Sequence, residues 1–257
     1  MLRRVTLIQT ESGRPLSRED SLLIFKQRPD FIILPEYYNV DPHNRDTVYN
    51  AGCTPEHLRY CRALSDRFST VLIAGSTIEC DHDRFYNTSY IYDRGIAVGR
   101  YRKANPTVRE RDNGIMPGGE PCLLEIDGVR ISILICADVF QRRNFSNLAA
   151  LDTDIVFIPT TSPLRPMETI TDKFTRDKMI FVDGAREAGS FLVKCCAVGR
   201  LWGGDLQGRS LVAAPWGIIT RVPPTEEARR RILSITLDIT ELREFRAKWN
   251  RISAVKS

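Results

Sequence analysis

Six segments of the chain are apolar runs of strand length that lack polar alternation and close with a polar or small residue. A continuous apolar run predicts a strand covered on both faces of its sheet, because a strand with one wet face alternates apolar and polar positions. The six runs are RVTLIQT (4–10), FIILPE (31–36), TVLIAGS (70–76), ISILICAD (131–138), DIVFIPT (154–160) and FLVKCCAVG (191–199).

Helical patterns fill several of the segments between these runs. Ser17 with Asp20 resembles a capping box that opens a helix through SLLIFKQR. Thr54 before Pro55 predicts an N-cap and a first-turn proline for PEHLRYCRALSDRF. Shorter helices are expected in NFSNLAALDT, MIFVDGAREAGS and LREFRAKWN, the last of them capped by Thr240.

Hairpins are expected as well, because Gly with Asp or Pro forms turns at 93–95, 127–128 and 215–217. One more strand, ILSITLDI, follows the polar segment 222–231. Hairpins together with helix-linked strands predict a mixed sheet with helices packed outside it. No linker or low-complexity tract interrupts the pattern, so we expect one domain over residues 1–257.

Composition narrows the class of protein. The 257 residues are 42% hydrophobic, and Lys and Arg outnumber Asp and Glu by 37 to 32. The basic residues are scattered, whereas a nucleic-acid-binding protein concentrates them in a stripe, so we expect no nucleic-acid partner. No run approaches the roughly 20 apolar residues of a membrane span, and the first apolar run is too short for a signal peptide. We therefore expect a cytoplasmic protein without a membrane partner.

The cysteines and histidines point away from disulfides and metals. The seven cysteines form an odd set without a C-x-x-C pair, and the three histidines are far apart. This pattern predicts reduced thiols and neither a disulfide framework nor a metal site.

Three reactive side chains stand where strand-like runs end. Glu36 closes FIILPE, Lys103 closes AVGRYRK and Cys136 closes ISILIC. Reactive groups collect at strand ends in open sheets, because the strands are rigid and the crevice beyond them is accessible. A carboxylate, an ammonium and a thiol that meet there suit attack on a carbonyl or nitrile carbon: the carboxylate takes the thiol proton and the ammonium stabilises the developing anion.

These residues make the chain similar to the nitrilase superfamily, the carbon-nitrogen hydrolases. LPEYY, YRKANP and ICAD resemble the family's three catalytic motifs, in the family's order and at similar separations. The resemblance runs from about residue 3 to about residue 240. Four further segments agree with it, namely PGGEP (117–121), DIVFIPTTSP (154–163), AREAGSFLVKCCAVG (185–199) and GRSLVAAPWGII (208–219).

The resemblance implies an α/β fold, a four-layer α-β-β-α sandwich, in a homodimer or higher homo-oligomer. It implies an amidase that acts on a small amide without a metal or organic cofactor. The roles that it implies are general base for Glu36, nucleophile for Cys136, stabiliser of the tetrahedral intermediate for Lys103, oxyanion-hole N–H for Ala137, second carboxylate for Glu110 with Glu120 as the alternative, and substrate binding for Thr160 and Thr161.

Substrate identity stays open. The chain has Ala104-Asn105 after Lys103 and Ala137 after Cys136, where family members commonly have other residues, and both departures touch the expected pocket wall. Arginines 142, 143 and 165 lie near segments that should border the pocket, which mildly favours a carboxylated amide. The alternative is that these arginines pair with surface acids.

Other functions stay open as well. An acyltransferase or a nitrile hydrolase would use the same three residues, and a binding protein on the same fold would need none of them. A redox protein using Cys195-Cys196 ranks last. Taken singly, Cys136 fits a small apolar core residue, Lys103 a solvated strand end and Glu110 a solvated loop residue.

Overall fold

The computed structural model of the chain describes residues 1–119 and 123–255, with side chains to residue 249. Its strands are β1 (Leu2–Glu11), β2 (Phe31–Ile33), β3 (Val71–Ile73), β4 (Thr77–Asp81), β5 (Arg84–Asp93), β6 (Ile96–Arg102), β7 (Leu124–Ile126), β8 (Val129–Ile133), β9 (Ile155–Thr160), β10 (Phe191–Leu201), β11 (Gly204–Leu206), β12 (Leu211–Ala214), β13 (Gly217–Arg221) and β14 (Arg231–Asp238). All six apolar runs and all three hairpins contribute strands, as the sequence predicts.

The helices lie between and after these strands. They are α1 (Arg18–Gln27), α2 (Thr47–Phe68), α3 (Val108–Asp112), α4 (Arg142–Ala150), α5 (Ile170–Asp177), α6 (Asp183–Ala188) and α7 (Ile239–Val255). A 3-10 turn covers Cys136–Phe140, a π-helical turn covers Lys178–Val182 and another 3-10 turn covers Pro224–Glu226. Within the residues that the structure describes, no helix is long and apolar enough to cross a membrane.

The strands form one curled sheet with two halves. The order along it is β4-β5-β3-β2-β1-β10-β9-β8-β7, and β14 pairs with β1 while β6 pairs with β5. The halves join where the end of β1 runs parallel to β10, with Thr10 opposite Ala197 and Glu11 opposite Val198. Beyond that seam the halves separate and face each other.

Alternate residues of each strand enter different apolar cores, which explains why the runs lack polar positions. Phe31 and Ile33 of β2 point into the core between the two halves, whereas Ile32 and Leu34 pack outward in a core that also contains Leu64 of α2. A third core joins the outside of the other half to α4 and α6. The result is the expected order of helix layer, sheet, sheet and helix layer.

Two predicted helix starts are wrong. Helix α2 begins at Thr47, capped by Asp46, and Pro55 lies inside it. The interior proline is tolerated because the Thr54 hydroxyl lies 2.7 Å from the Ile78 carbonyl and 3.3 Å from the Asn50 carbonyl, which fixes the turn before the proline. The predicted capping box of α1, between Ser17 and Asp20, is present.

The other misplaced start belongs to the C-terminal helix. Helix α7 begins at Ile239, so that Thr240 lies inside its first turn. Asp238 caps this helix instead, since its Oδ1 accepts a hydrogen bond from the Thr240 N–H at 2.9 Å.

Candidate active site

The carboxyl-terminal ends of several strands meet at one edge of the curled sheet. Strands β1, β2 and β3 are parallel, and so are β10, β9 and β8. Glu36 follows β2, Lys103 follows β6, Cys136 follows β8 and Thr161 follows β9. The structure thus brings together side chains that are far apart in the sequence. We call Glu36, Lys103, Glu110 and Cys136 the Cys136 cluster.

The Lys103 ammonium lies at the centre of the Cys136 cluster. Its Nζ donates to Glu36 Oε1 at 2.8 Å and to Glu110 Oε2 at 2.8 Å, and the side chain is 1% exposed. Burial by itself lowers the pKa of Lys103, but the charges of Glu36, Cys136 and Glu110 outweigh it and raise this pKa well above its usual value. Lys103 is therefore a fixed cation rather than a solvated strand end.

Glu36 is held by donors on both carboxylate oxygens. Glu36 Oε1 accepts from Lys103 Nζ and also from Asn87 Nδ2, at 3.0 Å. Glu36 Oε2 accepts from the Thr161 N–H at 2.8 Å and from the Thr161 hydroxyl. The residue is 1% exposed. This many donors compensate the cost of burying a carboxylate and fix the direction in which it points.

Cys136 occupies the first position of the 3-10 turn after β8. Its φ of 45° lies in the left-handed region, which is unusual for a residue with a side chain. The thiol donates to the Thr161 carbonyl at 3.3 Å. Burial, and next the charge of Glu36, raise the pKa of Cys136 well above its usual value, while Lys103 lowers it. The resting thiol is therefore protonated and needs a base before it becomes a nucleophile.

Glu110 lies on the other side of the ammonium from Glu36. It is 7% exposed and accepts from Tyr37 Oη at 2.6 Å and from the Thr107 N–H at 2.7 Å. Burial raises the pKa of Glu110, but Lys103, Tyr37 and Thr107 outweigh it and lower this pKa to about 2. Glu110 is thus a buried member of the cluster and not a solvated loop residue. Glu120, the alternative second carboxylate, lies outside the described residues.

A cavity of about 300 Å³ opens beside the Cys136 cluster. Ala137 lines it from the 3-10 turn, and Thr160 and Thr161 line it from the end of β9. The Thr160 hydroxyl donates back to the Ile158 carbonyl at 3.0 Å, whereas Thr161 contacts both Glu36 and Cys136. Every residue of the described chain to which the resemblance assigns a role therefore borders one cavity, and Thr161 connects the carboxylate to the thiol.

A family model supplies the context for this arrangement. The model of the carbon-nitrogen hydrolase family matches residues 7–247. The chain belongs to this family. Among curated proteins, this carbon-nitrogen hydrolase is 25% identical over 221 residues to the 2-oxoglutaramate amidase of Bacillus subtilis (strain 168), with 84% of this chain and 81% of that protein covered.

Solved structures agree at the level of the fold. A carbon-nitrogen hydrolase from Helicobacter pylori G27 superimposes with a TM-score of 0.81 at 17% identity, covering 98% of this chain and 94% of that one. An amidase from Nesterenkonia sp. superimposes with a TM-score of 0.75 at 21% identity, covering 97% and 95%. The four-layer architecture is thus shared with carbon-nitrogen hydrolases of low sequence identity.

Asn87 is a site residue that the sequence did not identify. It lies inside β5, is fully buried, and its Nδ2 donates to Glu36 Oε1 at 3.0 Å and to Glu110 Oε1 at 2.8 Å. Asn87 therefore ties together the two carboxylates of this carbon-nitrogen hydrolase. The sequence signal that could have found it is an amide within FYNTSYIY (85–92), a run rich in the aromatic and β-branched residues that are typical of a strand.

Asp138 holds the turn that carries the thiol. Its Oδ2 accepts from Tyr101 Oη at 2.8 Å and from the Ile135 N–H at 2.9 Å, and its Oδ1 accepts from the Asn105 N–H at 2.8 Å. These bonds join the segment after Cys136 to the segment after Lys103. Asp138 is thus a structural partner of both motifs.

Of the three arginines that the sequence places near the pocket, one lines the cavity and two lie on the surface. Arg142 is exposed and pairs with Glu187, and Arg143 is also exposed on α4. Neither lines the cavity beside Cys136, so the prediction that they border it is wrong: the helix after the thiol turn directs them to the surface. Arg165 does line that cavity.

Proposed function

We propose that this carbon-nitrogen hydrolase is an amidase that cleaves small amides through an acyl-enzyme on Cys136. The observation that carries the proposal is the Cys136 cluster, in which a protonated thiol lies at the mouth of a cavity beside a buried carboxylate and a buried ammonium. These are the parts that thiol attack on an amide carbon requires.

In the first half of the proposed reaction, Glu36 takes the thiol proton and the thiolate attacks the amide carbon. The carbonyl π electrons move onto oxygen, where Lys103 Nζ and the Ala137 N–H stabilise the negative charge. Collapse of the intermediate reforms the carbonyl and breaks the carbon-nitrogen bond. The proton held by Glu36 goes to the leaving nitrogen, so that ammonia or an amine departs and a thioester remains.

In the second half, Glu36 takes a proton from water and the hydroxide attacks the thioester carbon. Collapse expels the Cys136 thiolate, which recovers the proton from Glu36, and the carboxylic acid leaves. Glu110 keeps Lys103 in place between the two carboxylates. The proposed roles of Thr160 and Thr161 differ: Thr161 orients Glu36, and Thr160 forms part of the cavity wall that contacts the substrate.

The relatives favour an amide as substrate. The curated relative is named as an amidase of 2-oxoglutaramate, and the Nesterenkonia enzyme is an amidase described with an acetamide group attached to its active-site cysteine. The first supports an amide as substrate, and the second supports a nucleophilic cysteine. Acyl transfer to an amine and hydrolysis of a nitrile use the same cluster, and they are outcomes of the test that follows.

The test is ammonia release from a panel of primary amides, ω-amides, carbamoyl acids and nitriles, with Cys136→Ala as the blank. We expect release from at least one class of amide, and its loss in the variant. Release that Cys136→Ala retains would contradict the mechanism. Release of ammonia from nitriles alone would move the assignment to nitrile hydrolysis. If no compound releases ammonia in buffer but an acyl group is transferred when hydroxylamine is added, the assignment would move to a transferase.

We further propose that residues 1–257 act as one domain in the cytoplasm and that the protein is at least a homodimer. Light scattering on the purified protein tests the assembly. A monomeric mass at assay concentration would contradict it.

A further inference from the structure

A second group of charged side chains lines the same cavity. Arg165, Arg176, Lys194 and Arg209 border it together with Cys136. Lys194 comes from the middle of β10 and Arg209 from the segment before β12. Both are 2% exposed, which is rare for a charged residue and requires compensation.

The cations outnumber the acids that compensate them. Ion pairs connect eight side chains, which we call the Lys194 cluster: Lys173, Arg176, Lys194, Arg209 and Arg221 with Glu168, Asp177 and Glu227. Five cations thus share three carboxylates, which leaves the Lys194 cluster with a formal charge of +2.

The pairing is loose on the cavity side. Lys194 Nζ lies 3.6 Å from Asp177 Oδ1, beyond hydrogen-bond distance, and 4.7 Å from the centre of the Phe181 ring. Arg209 donates one hydrogen bond to Asp177, at 3.1 Å, while its Nε and Nη1 have no hydrogen-bond partner within the described residues. Both atoms are buried, and Nη1 lies 3.6 Å from Glu168 Oε2, beyond hydrogen-bond distance. Buried N–H groups of a guanidinium without an acceptor are costly, so an acceptor that enters from the cavity would relieve that cost.

Three cations of the Lys194 cluster lie nearer to the cavity than its carboxylates. Arg176, Lys194 and Arg209 border the cavity, whereas none of the three carboxylates of the Lys194 cluster is among the residues that line it. Burial, and then the charges of the neighbouring Arg209 and Arg165, lower the pKa of Arg176 to about 10. The cavity wall is therefore positive in this region.

We propose that Lys194 and Arg209 bind the carboxylate of an amide substrate whose amide carbon is presented to Cys136, so that the enzyme acts on monoamides of short dicarboxylic acids. This rests on the proposed amidase function. An entering carboxylate accepts the free N–H groups of Arg209 and neutralises part of the excess charge. A guanidinium also matches a carboxylate in geometry, with two parallel donors for two oxygens.

The two clusters orient such a substrate. Glu36 and Glu110 repel an anion from the Cys136 cluster, and the Lys103 ammonium there already donates to both of them. The uncharged amide is accordingly the end that approaches Cys136. The cavity volume of about 300 Å³ is at the lower limit for ligand pockets, which suits a short substrate.

The experiment compares two substrates that differ only in the distal charge, namely 4-carbamoylbutanoic acid and pentanamide. In the wild-type enzyme we expect kcat/KM to favour the acid by about 10-fold or more, the value of a hydrogen bond to a charged group. Arg209→Gln and Lys194→Met should each reduce that ratio by about 10-fold. The ratio is independent of the folded fraction, because both substrates meet the same enzyme sample.

Lys173→Gln is the matched control. It removes a cation of the Lys194 cluster that pairs with Glu227 and does not line the cavity. We expect the ratio of the two kcat/KM values to stay at the wild-type value. An equal fall in all three variants would show a general field effect and would overturn the assignment to Lys194 and Arg209.

A binding measurement separates this inference from the amidase proposal and does not depend on folded Arg209 or Lys194 variants. The thermal unfolding temperature of Cys136→Ala should rise with 4-carbamoylbutanoic acid more than with pentanamide or inorganic phosphate. If both amides are hydrolysed equally, if that hydrolysis depends on Cys136, and if the two compounds raise the unfolding temperature equally, the carboxylate site is overturned and the amidase proposal stands. Absence of turnover with both, together with silence of all amides of the panel, would overturn the amidase proposal, and the unfolding temperatures would then decide whether the carboxylate site exists.

Discussion

The two charged clusters of the cavity differ in how completely their hydrogen bonds are formed. In the Cys136 cluster two carboxylates surround one ammonium, and Lys103 donates to both at 2.8 Å. In the Lys194 cluster five cations share three carboxylates, and Arg209 keeps N–H groups without an acceptor among the described residues. The first cluster is complete without a ligand, and the second is not.

This difference separates two uses of buried charge. A side chain that reacts must be held in one geometry before the substrate arrives, which requires donors and acceptors that are already satisfied. A side chain that binds must keep part of its hydrogen-bonding capacity for the ligand. The comparison therefore predicts that changes in the Cys136 cluster affect the chemical step and that changes at Lys194 and Arg209, which line the cavity, affect substrate preference.

The largest effect is expected from Glu36→Gln. The amide keeps the shape of the side chain but cannot take the thiol proton, so kcat should fall by roughly 1,000-fold or more. Glu79→Gln is the matched control, because Glu79 is 6% exposed and pairs with Arg102 but does not line the cavity. Steady-state ammonia release measures both variants. A similar fall in kcat in both variants would mean that loss of any buried ion pair of the sheet lowers the rate, and would contradict a special role of the Cys136 cluster in the chemical step.

Glu110→Gln tests the charge balance of the Cys136 cluster through the pH dependence of the free energy of unfolding. The pKa of Glu110 lies at about 2 in the folded protein, below the ordinary 4.5. A lowered pKa stabilises the fold above pH 4.5, by about 3 kcal/mol at most, and that contribution is lost as the pH falls from 4.5 towards 2.

Urea unfolding between about pH 3 and pH 7 measures this contribution through the slope of unfolding free energy against pH. We expect the wild-type slope below pH 4.5 to exceed that of Glu110→Gln, because the variant has lost one titrating group. Parallel curves for the two proteins would show that Glu110 is not held ionised by Lys103.

Lys103→Met and Lys194→Met together test whether the two clusters affect different kinetic parameters. Loss of the Lys103 ammonium removes a donor to the oxyanion and should lower kcat by about 100-fold or more with either amide of the matched pair. Lys194→Met should instead act on kcat/KM of the carboxylated amide. A Lys103→Met effect confined to KM, or a Lys194→Met effect of the same size on both substrates, would remove the distinction between the clusters.

Glu36, Lys103 and Cys136 were largely predictable from the sequence, because each stands at the end of a strand-like run and lies in a segment that resembles a motif of the family. Glu36 and Cys136 each follow a strand that must be buried, and a carboxylate buried there without partners would be costly, so its position indicates a use. Glu110 was harder, since RERD resembles a solvated loop. Thr107 three residues before Glu110 is the pattern of a capping box, which the structure contains and which indicates an ordered helix start.

The Lys194 cluster was not predictable in the same way. Lys194 lies inside an apolar run, where the pattern does not tell which face a residue occupies. Its partner Asp177 belongs to helix α5, which the sequence pattern did not predict. The strand positions were predicted because they follow from local periodicity, whereas the four-layer order was implied by the resemblance to the family. The start of α2 was missed because Thr54 and Pro55 fit a local capping rule, whereas Asp46 and the contact of Thr54 with Ile78 decide the outcome.

The smallest effect is expected at Thr161, which joins the two halves of the Cys136 cluster. Thr161→Val removes the hydroxyl that donates to Glu36 Oε2 but keeps the backbone N–H that donates to the same oxygen at 2.8 Å. One lost hydrogen bond to a charged group should lower kcat by about 10-fold. Thr161→Ser restores the donor and should recover most of the rate, which a role in cavity shape alone does not predict. An equal loss of rate in Thr161→Ser would mean that the side chain acts through the shape of the cavity and not through its hydrogen bond to Glu36.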